Sequence, residues 1–191
     1  MTRTSEIFHV SESAEKVICP PNLVFRNQDF EFLLAEGGHF VEDDAQYYDF
    51  MKLLKELGET GFTIKENLGA TLTDRTTPLK ATFSVNSNLK EFYDKMWEFE
   101  EHMPSAMTTL HWFVHGESKD WGLYIAEFPT INIIGCKGGL TEKFRIVFKI
   151  EGSGYDQEKE LLNAELKLLK DLDGIAKFCE NYKIKTHHKS T

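Results

Sequence analysis

Apolar and polar positions change their period several times along the chain, and each change marks an element. Phe30, Phe32 and Leu34 alternate with Glu31 and Leu33, and Gly37-Gly38 follows, which predicts a strand ended by glycine. From Asp43 the period lengthens. Tyr47, Phe50, Met51, Leu54 and Leu57 fall three and four apart, the spacing that gathers apolar side chains into one helical stripe. Asp43 with Gln46 forms a capping pair at the start, and Gly58 stands where a helix ends in a left-handed residue. A strand is expected over 62–66, then a polar loop to Pro78, then extended chain over 79–85.

Asn88 and Glu91 repeat the capping signal, with Leu89, Phe92, Tyr93, Met96 and Phe99 as the buried stripe and Pro104 beyond the end. The stretches Tyr47-Tyr48-Asp49-Phe50-Met51 and Phe92-Tyr93-Asp94-Lys95-Met96 look alike, and suggest two related strand–helix–strand halves. After residue 109 the pattern turns to β: strands are expected over 110–115, 121–128, 131–136 and 144–150, joined by glycine-rich turns. Their short connections imply antiparallel neighbours, since parallel pairing needs a long crossover. A last helix is expected over 157–182, carrying Leu161, Leu168, Leu172, Ile175 and Cys179 on one face, with Gly174 inside the pattern. Near the N-terminus, short extended pieces are expected at 6–10 and 16–19, the second stopped by Pro20-Pro21.

These elements add up to an α+β fold: a mainly antiparallel sheet with about three helices packed on one side of it. Residues 1–27 read as an arm or first strands, 28–182 as one α+β domain, and 183–191 as a flexible basic tail.

Composition narrows the functional classes. The 191 residues are 41% hydrophobic and 28% charged, the balance of a folded chain. No apolar run approaches the roughly 18–20 residues of a membrane helix, and the first residues contain no continuous apolar stretch of a secretory signal. Three widely separated cysteines, Cys19, Cys136 and Cys179, suit reduced thiols in a cytoplasmic protein. Lys and Arg total 22 against 31 Asp and Glu, a net charge of −9. Such an excess of acid opposes nucleic-acid and anionic-membrane binding and favours a basic protein partner.

Two groups of residues could carry a function. The first is His111-Trp112-Phe113-Val114-His115-Gly116-Glu117, with His102 upstream. On a strand His111 and His115 point to one face, as would Glu117 if the strand continued, so His102, His111, His115 and Glu117 form the candidate metal or ligand set. Four residues of strand span roughly 13 Å, which separates the imidazoles too far for one ion without a bend, and ordinary sheet histidines are the plainer reading. The second group is Trp97, Glu98 and Glu101. With Phe99 packed inward, these acids flank an outward-facing indole, a composition suited to a basic partner. Its plainer reading is a solvated helix face.

No phosphate-loop, dinucleotide, zinc-protease or nucleophile-elbow motif occurs. The sequence therefore favours a non-catalytic acidic cytoplasmic protein-binding module, of inhibitor or immunity type, with no catalytic residue and no cofactor. The alternative is a small metal- or ligand-binding enzyme built on the histidines.

Overall fold

The computed structural model describes residues 3–10, 18–36, 40–41, 43–71, 75–101, 111–127, 130–150 and 172–184. In chain order these form α1 (Arg3–Ile7), β1 (Glu31–Glu36), α2 (Asp44–Glu56), β2 (Gly61–Glu66), β3 (Lys80–Ser84), α3 (Leu89–Glu101), β4 (His111–His115), β5 (Trp121–Glu127), β6 (Thr130–Cys136), α4 (Thr141–Val147) and α5 (Leu172–Asn181), with a short 3-10 turn at Gly138–Leu140 before α4. The fold is α+β.

Local chemistry explains where the helices start and stop. Asp43 Oδ1 accepts the Gln46 backbone N–H at 2.8 Å, satisfying one of the donors a helix start leaves free. At α3 the capping box closes both ways: the Glu91 N–H reaches Asn88 Oδ1 at 2.9 Å and the Asn88 N–H reaches Glu91 Oε2 at 3.3 Å. Beyond α2, Gly58 has φ +74°, the left-handed conformation that lets the chain leave the helix without a Cβ clash.

The six strands form one sheet in the order β1-β6-β5-β4-β2-β3, and every adjacent pair is antiparallel. The sequential meander β4–β5–β6 occupies its centre. α2 carries the chain from β1 at one edge to β2 near the other, while α3 returns it from the edge strand β3 to β4 beside β2. Both are crossovers between strands of the same direction, but the first passes three intervening strands and the second passes one.

Both sheet faces are covered, which corrects the expectation of helices on one side. Leu33, Ile64, Trp112, Val114, Leu123 and Ile134 pack with residues of α2, α3 and α4 in one apolar cluster. The opposite side chains, among them Leu34, Phe113, Tyr124 and Ile133, pack with Phe8, Phe25, Ile7 of α1 and Phe178 of α5 in a second. Covering on both faces is why β4 is buried at all five positions. Two glycines make room for the second layer. Gly122 and Gly135 are cross-strand partners; a Cβ on Gly122 would lie 2.6 Å from Phe8 Cζ, and one on Gly135 would lie 2.8 Å from Phe25 Cε1. The α5 end is tied to the N-terminal chain, with the Tyr182 hydroxyl donating to the Asn22 carbonyl at 2.7 Å and accepting the Val24 N–H at 3.2 Å.

Two further expectations are corrected. Residues 144–150 are not a strand: α4 occupies Thr141–Val147. Phe144, Ile146, Phe148 and Ile150 satisfy a period of two, but Phe144, Val147 and Phe148 equally satisfy three-and-four spacing. The helix wins because it buries the latter set against α2 and Trp121 while leaving Ile146 69% exposed. The expected extended piece at 6–10 is also replaced, in its first residues, by α1, with a single bridge from Phe8 to Phe25. The expected helix over 157–182 is described only from Leu172, within α5, and residues 157–171 lie outside the described set.

Candidate functional site

The solvent-facing side of α3 gathers large aromatic and acidic side chains. Phe92 and Phe99 turn inward, 3% and 4% exposed, so the residues between them on the other side face water. Trp97 is 66% exposed, and Tyr93, one turn earlier, is 38% exposed. Glu98 and Glu101 are exposed beside them, the geometry the sequence predicts. α3 holds five acids, Glu91, Asp94, Glu98, Glu100 and Glu101, against Lys90 and Lys95. The lysines sit within the face: Lys90 pairs with Asp94 at 2.5 Å and Lys95 with Glu98 at 2.6 Å. Exposed pairs of this kind contribute little and exchange readily.

A ring ladder anchors this surface to the core. Phe92 stands 5.7 Å from Tyr93 and 5.3 Å from Tyr47, and Tyr47 stands 5.6 Å from the exposed Tyr48 on α2. Tyr47 also donates its hydroxyl to the Ser87 carbonyl at 3.0 Å, fixing α2 to the start of α3. Burial pushes its phenol up to about 12, with Glu91 and Tyr48 adding to the shift.

The histidines occupy the second face. His111 and His115 share it, as the strand period requires, and are 4% and 3% exposed. Asn67 Nδ2 donates to the Tyr124 hydroxyl at 2.9 Å, leaving that hydroxyl to donate to His111 Nδ1 at 2.9 Å. Burial lowers the His111 pKa to about 4, so the ring is neutral near pH 7. His115 uses both nitrogens. A carbonyl only accepts, so Nδ1–H donates to Gly116 O at 2.8 Å, and Nε2 accepts the Thr4 hydroxyl at 2.9 Å. Burial lowers its pKa too, assisted by the charges of Lys80 and Arg3 and opposed by the Gly116 carbonyl and Glu59.

Glu117 does not continue the strand. β4 ends at His115, and Glu117 lies exposed in the following bend. His102 lies outside the described residues. Among the described residues, no three His, Cys, Asp or Glu side chains stand where they could hold one metal ion.

A separate polar cleft of about 420 Å³ opens beside His115, lined by Arg3, Thr63, Thr82, Ser84 and Glu117 among others. Of the cleft's lining, the sequence points to His115 and Glu117 but not to Arg3, Thr63, Thr82 or Ser84. Their signal was present in the polar positions 63, 82 and 84, which alternate with the buried Ile64 and Phe83 and so project from the opposite side of the β2–β3 hairpin. Comparison with protein-family models, with curated proteins and with solved structures gives no match.

Proposed function

We propose that this protein is a non-catalytic acidic binding module of the cytoplasm that captures a basic protein partner, in the manner of an inhibitor or immunity protein, through Trp97, Glu98 and Glu101 on α3. The observation that carries the reading is Trp97, whose indole is 66% exposed on a helix whose neighbours Phe92 and Phe99 are buried. Leaving so large an apolar side chain in water forgoes on the order of 2 kcal/mol of burial; a partner surface recovers that term. Trp and Tyr are enriched among residues that dominate binding energy, and Tyr93 extends the same strip. The net charge of −9 steers a cationic surface toward the helix and speeds encounter at low salt.

The experiment is a comparison of affinity columns carrying the wild-type chain, Trp97→Ala, and the double variant Glu98→Lys with Glu101→Lys. Source-cell lysate passed over wild type should leave a basic protein that salt releases. The same protein should be missing from both variant columns. Identical retained proteins on all three, or retention indifferent to salt, would reject α3 as the contact surface.

A further inference from the structure

We infer that the partner surface continues from α3 onto α2 and takes guanidinium groups: an arginine-bearing segment of the partner lies across Trp97 and Tyr93 of α3 and Tyr48 of α2. This rests on the α3 reading above and extends it to a second helix and to one kind of cation. Among the described residues, the exposed large hydrophobic side chains are Tyr48, Tyr93, Trp97 and Ile146. Three are aromatic, and all three lie on α2 or α3. Tyr48, on α2, is 55% exposed.

The two helices are joined where the rings meet. Tyr47, next to Tyr48, donates its hydroxyl to the Ser87 carbonyl just before α3. Ring steps of 5.6, 5.3 and 5.7 Å lead from Tyr48 through Tyr47 and Phe92 to Tyr93. Trp97 follows one turn along α3. The two ends of this path are exposed while Tyr47 and Phe92 are buried, so the outer rings stand on a packed base. Anchors fixed in this way lose little freedom when a partner binds.

Charge and ring together specify the cation. On each helix an exposed acid stands one turn from an exposed ring: Asp44 before Tyr48, Asp94 before Trp97 and Glu101 after it. Burial raises the Tyr47 phenol and the Glu91 charge adds to the rise, which puts a further carboxylate near the seam between the helices. A planar guanidinium stacks on an aromatic face while its edge N–H groups reach a carboxylate. A lysine ammonium is a strongly hydrated point charge and gains less from the ring. Rings interleaved with acids therefore fit arginine better than lysine. Lys90 and Lys95, which pair with Asp94 and Glu98, give way at little cost because exposed pairs contribute little.

The test titrates the whole isotopically labelled chain, at low salt, with hexa-arginine and separately with hexa-lysine, followed by the Trp97 indole N–H and the backbone amides. Six extended residues reach about 20 Å, enough to cover the three ring steps. Hexa-arginine is expected to bind saturably, at least about threefold more tightly than hexa-lysine, and to shift amides of both α2 and α3. Tyr48→Ser and Trp97→Ala should each weaken it by about threefold or more. Ile146→Ser alters the exposed apolar side chain of α4 and should leave affinity within about twofold. Weakening by Trp97→Ala but not by Tyr48→Ser overturns the extension to α2 and leaves the α3 reading standing. Equal affinity for the two peptides, or no saturable binding of either up to about 1 mM, overturns the guanidinium assignment, while the lysate columns still judge α3 by itself. Hexa-arginine binding indifferent to Trp97→Ala, or weakened as much by Ile146→Ser, overturns the surface altogether.

Discussion

Glu59 accepts the indole N–H of Trp121 at 2.9 Å, from a position 62 residues earlier in the chain. The same carboxylate takes the Glu117 N–H at 2.7 Å, the Ser118 N–H at 3.2 Å and the Ser118 hydroxyl at 2.5 Å. One buried side chain at the exit of α2 therefore organises the whole turn between β4 and β5. The fit also explains Gly116, where a Cβ would lie 2.4 Å from the Glu59 carboxyl carbon.

Glu59→Gln keeps the shape of that group but replaces one acceptor with an amide that cannot accept. Donors left without partners in a buried site cost about 1–3 kcal/mol each, and charged acceptors are the stronger ones. We expect the variant to lose about 2–4 kcal/mol in urea denaturation, with altered Trp121 fluorescence. A loss below about 0.5 kcal/mol, the range of an ordinary surface change, would contradict this role.

Gly122→Ala should destabilise the protein by about 1–3 kcal/mol through overpacking. The ring that meets the new methyl, Phe8, is itself held 5.0 Å from Phe25 and 4.8 Å from Phe113, so it has little freedom to retreat. Thermal denaturation measures the effect. An unchanged midpoint would mean that the N-terminal layer is not packed on the sheet as described.

Acid should weaken the fold through His111. Its pKa falls from 6.5 to about 4 on burial, so between those values the unfolded chain binds a proton that the folded chain refuses. Stability is then complete above pH 6.5 and declines as pH falls toward 4. A fully expressed shift of that size corresponds to about 3 kcal/mol. His111→Gln, which keeps an acceptor for Tyr124, should flatten the decline. An identical pH dependence in variant and wild type would assign acid sensitivity to other groups.

Trp97→Ala should separate binding from stability. The side chain is mostly in water, so its removal should change unfolding free energy by less than about 0.5 kcal/mol, while partner affinity falls by at least about tenfold, or 1.4 kcal/mol. Denaturation and binding measured on the same preparation decide the matter. A large stability loss with intact binding would place the residue in the structural core instead.

The thiols of Cys19, Cys136 and Cys179 are free. Burial pushes Cys136 up to about 11, and burial raises Cys19 and Cys179 as well. Since the thiolate is the reactive form, alkylation at pH 8 should be slow in the native protein, with all three modified rapidly after unfolding. Rapid native modification of Cys136 would show that it is accessible.

Local rules made much of the fold legible. α2 follows directly from its stripe and from Asp43, Gln46 and Gly58, because capping and helical period act within a few residues. The same is true of α3 and of the alternation in β1. The inward turn of Phe99 was enough to place Glu98 and Glu101 outside, so the candidate α3 face was readable in sequence. Ile131, Ile133 and Ile134, apolar on both sides of the strand and interrupted by Asn132, also carried a signal of two-sided burial, although a run that short does not say what covers each side.

Tertiary structure decided the rest, because those choices depend on partners far away in the chain. Residues 144–150 fit both periods, and only the space beside Phe50 and Trp121 made α4 a helix. His111 and His115 lay on one face by strand period, but Tyr124, Thr4 and the Gly116 carbonyl determined what their nitrogens do. Gly122 and Gly135 fall inside expected strands, but only cross-strand pairing set them together beneath Phe8 and Phe25. Lys65 and Lys80 became neighbours only through the register of β2 with β3. Sequence by itself determined the periods and caps, which are short-range sterics and hydrogen bonding; register and layer packing, which join residues up to more than a hundred positions apart, determined which polar groups are buried and which are paired.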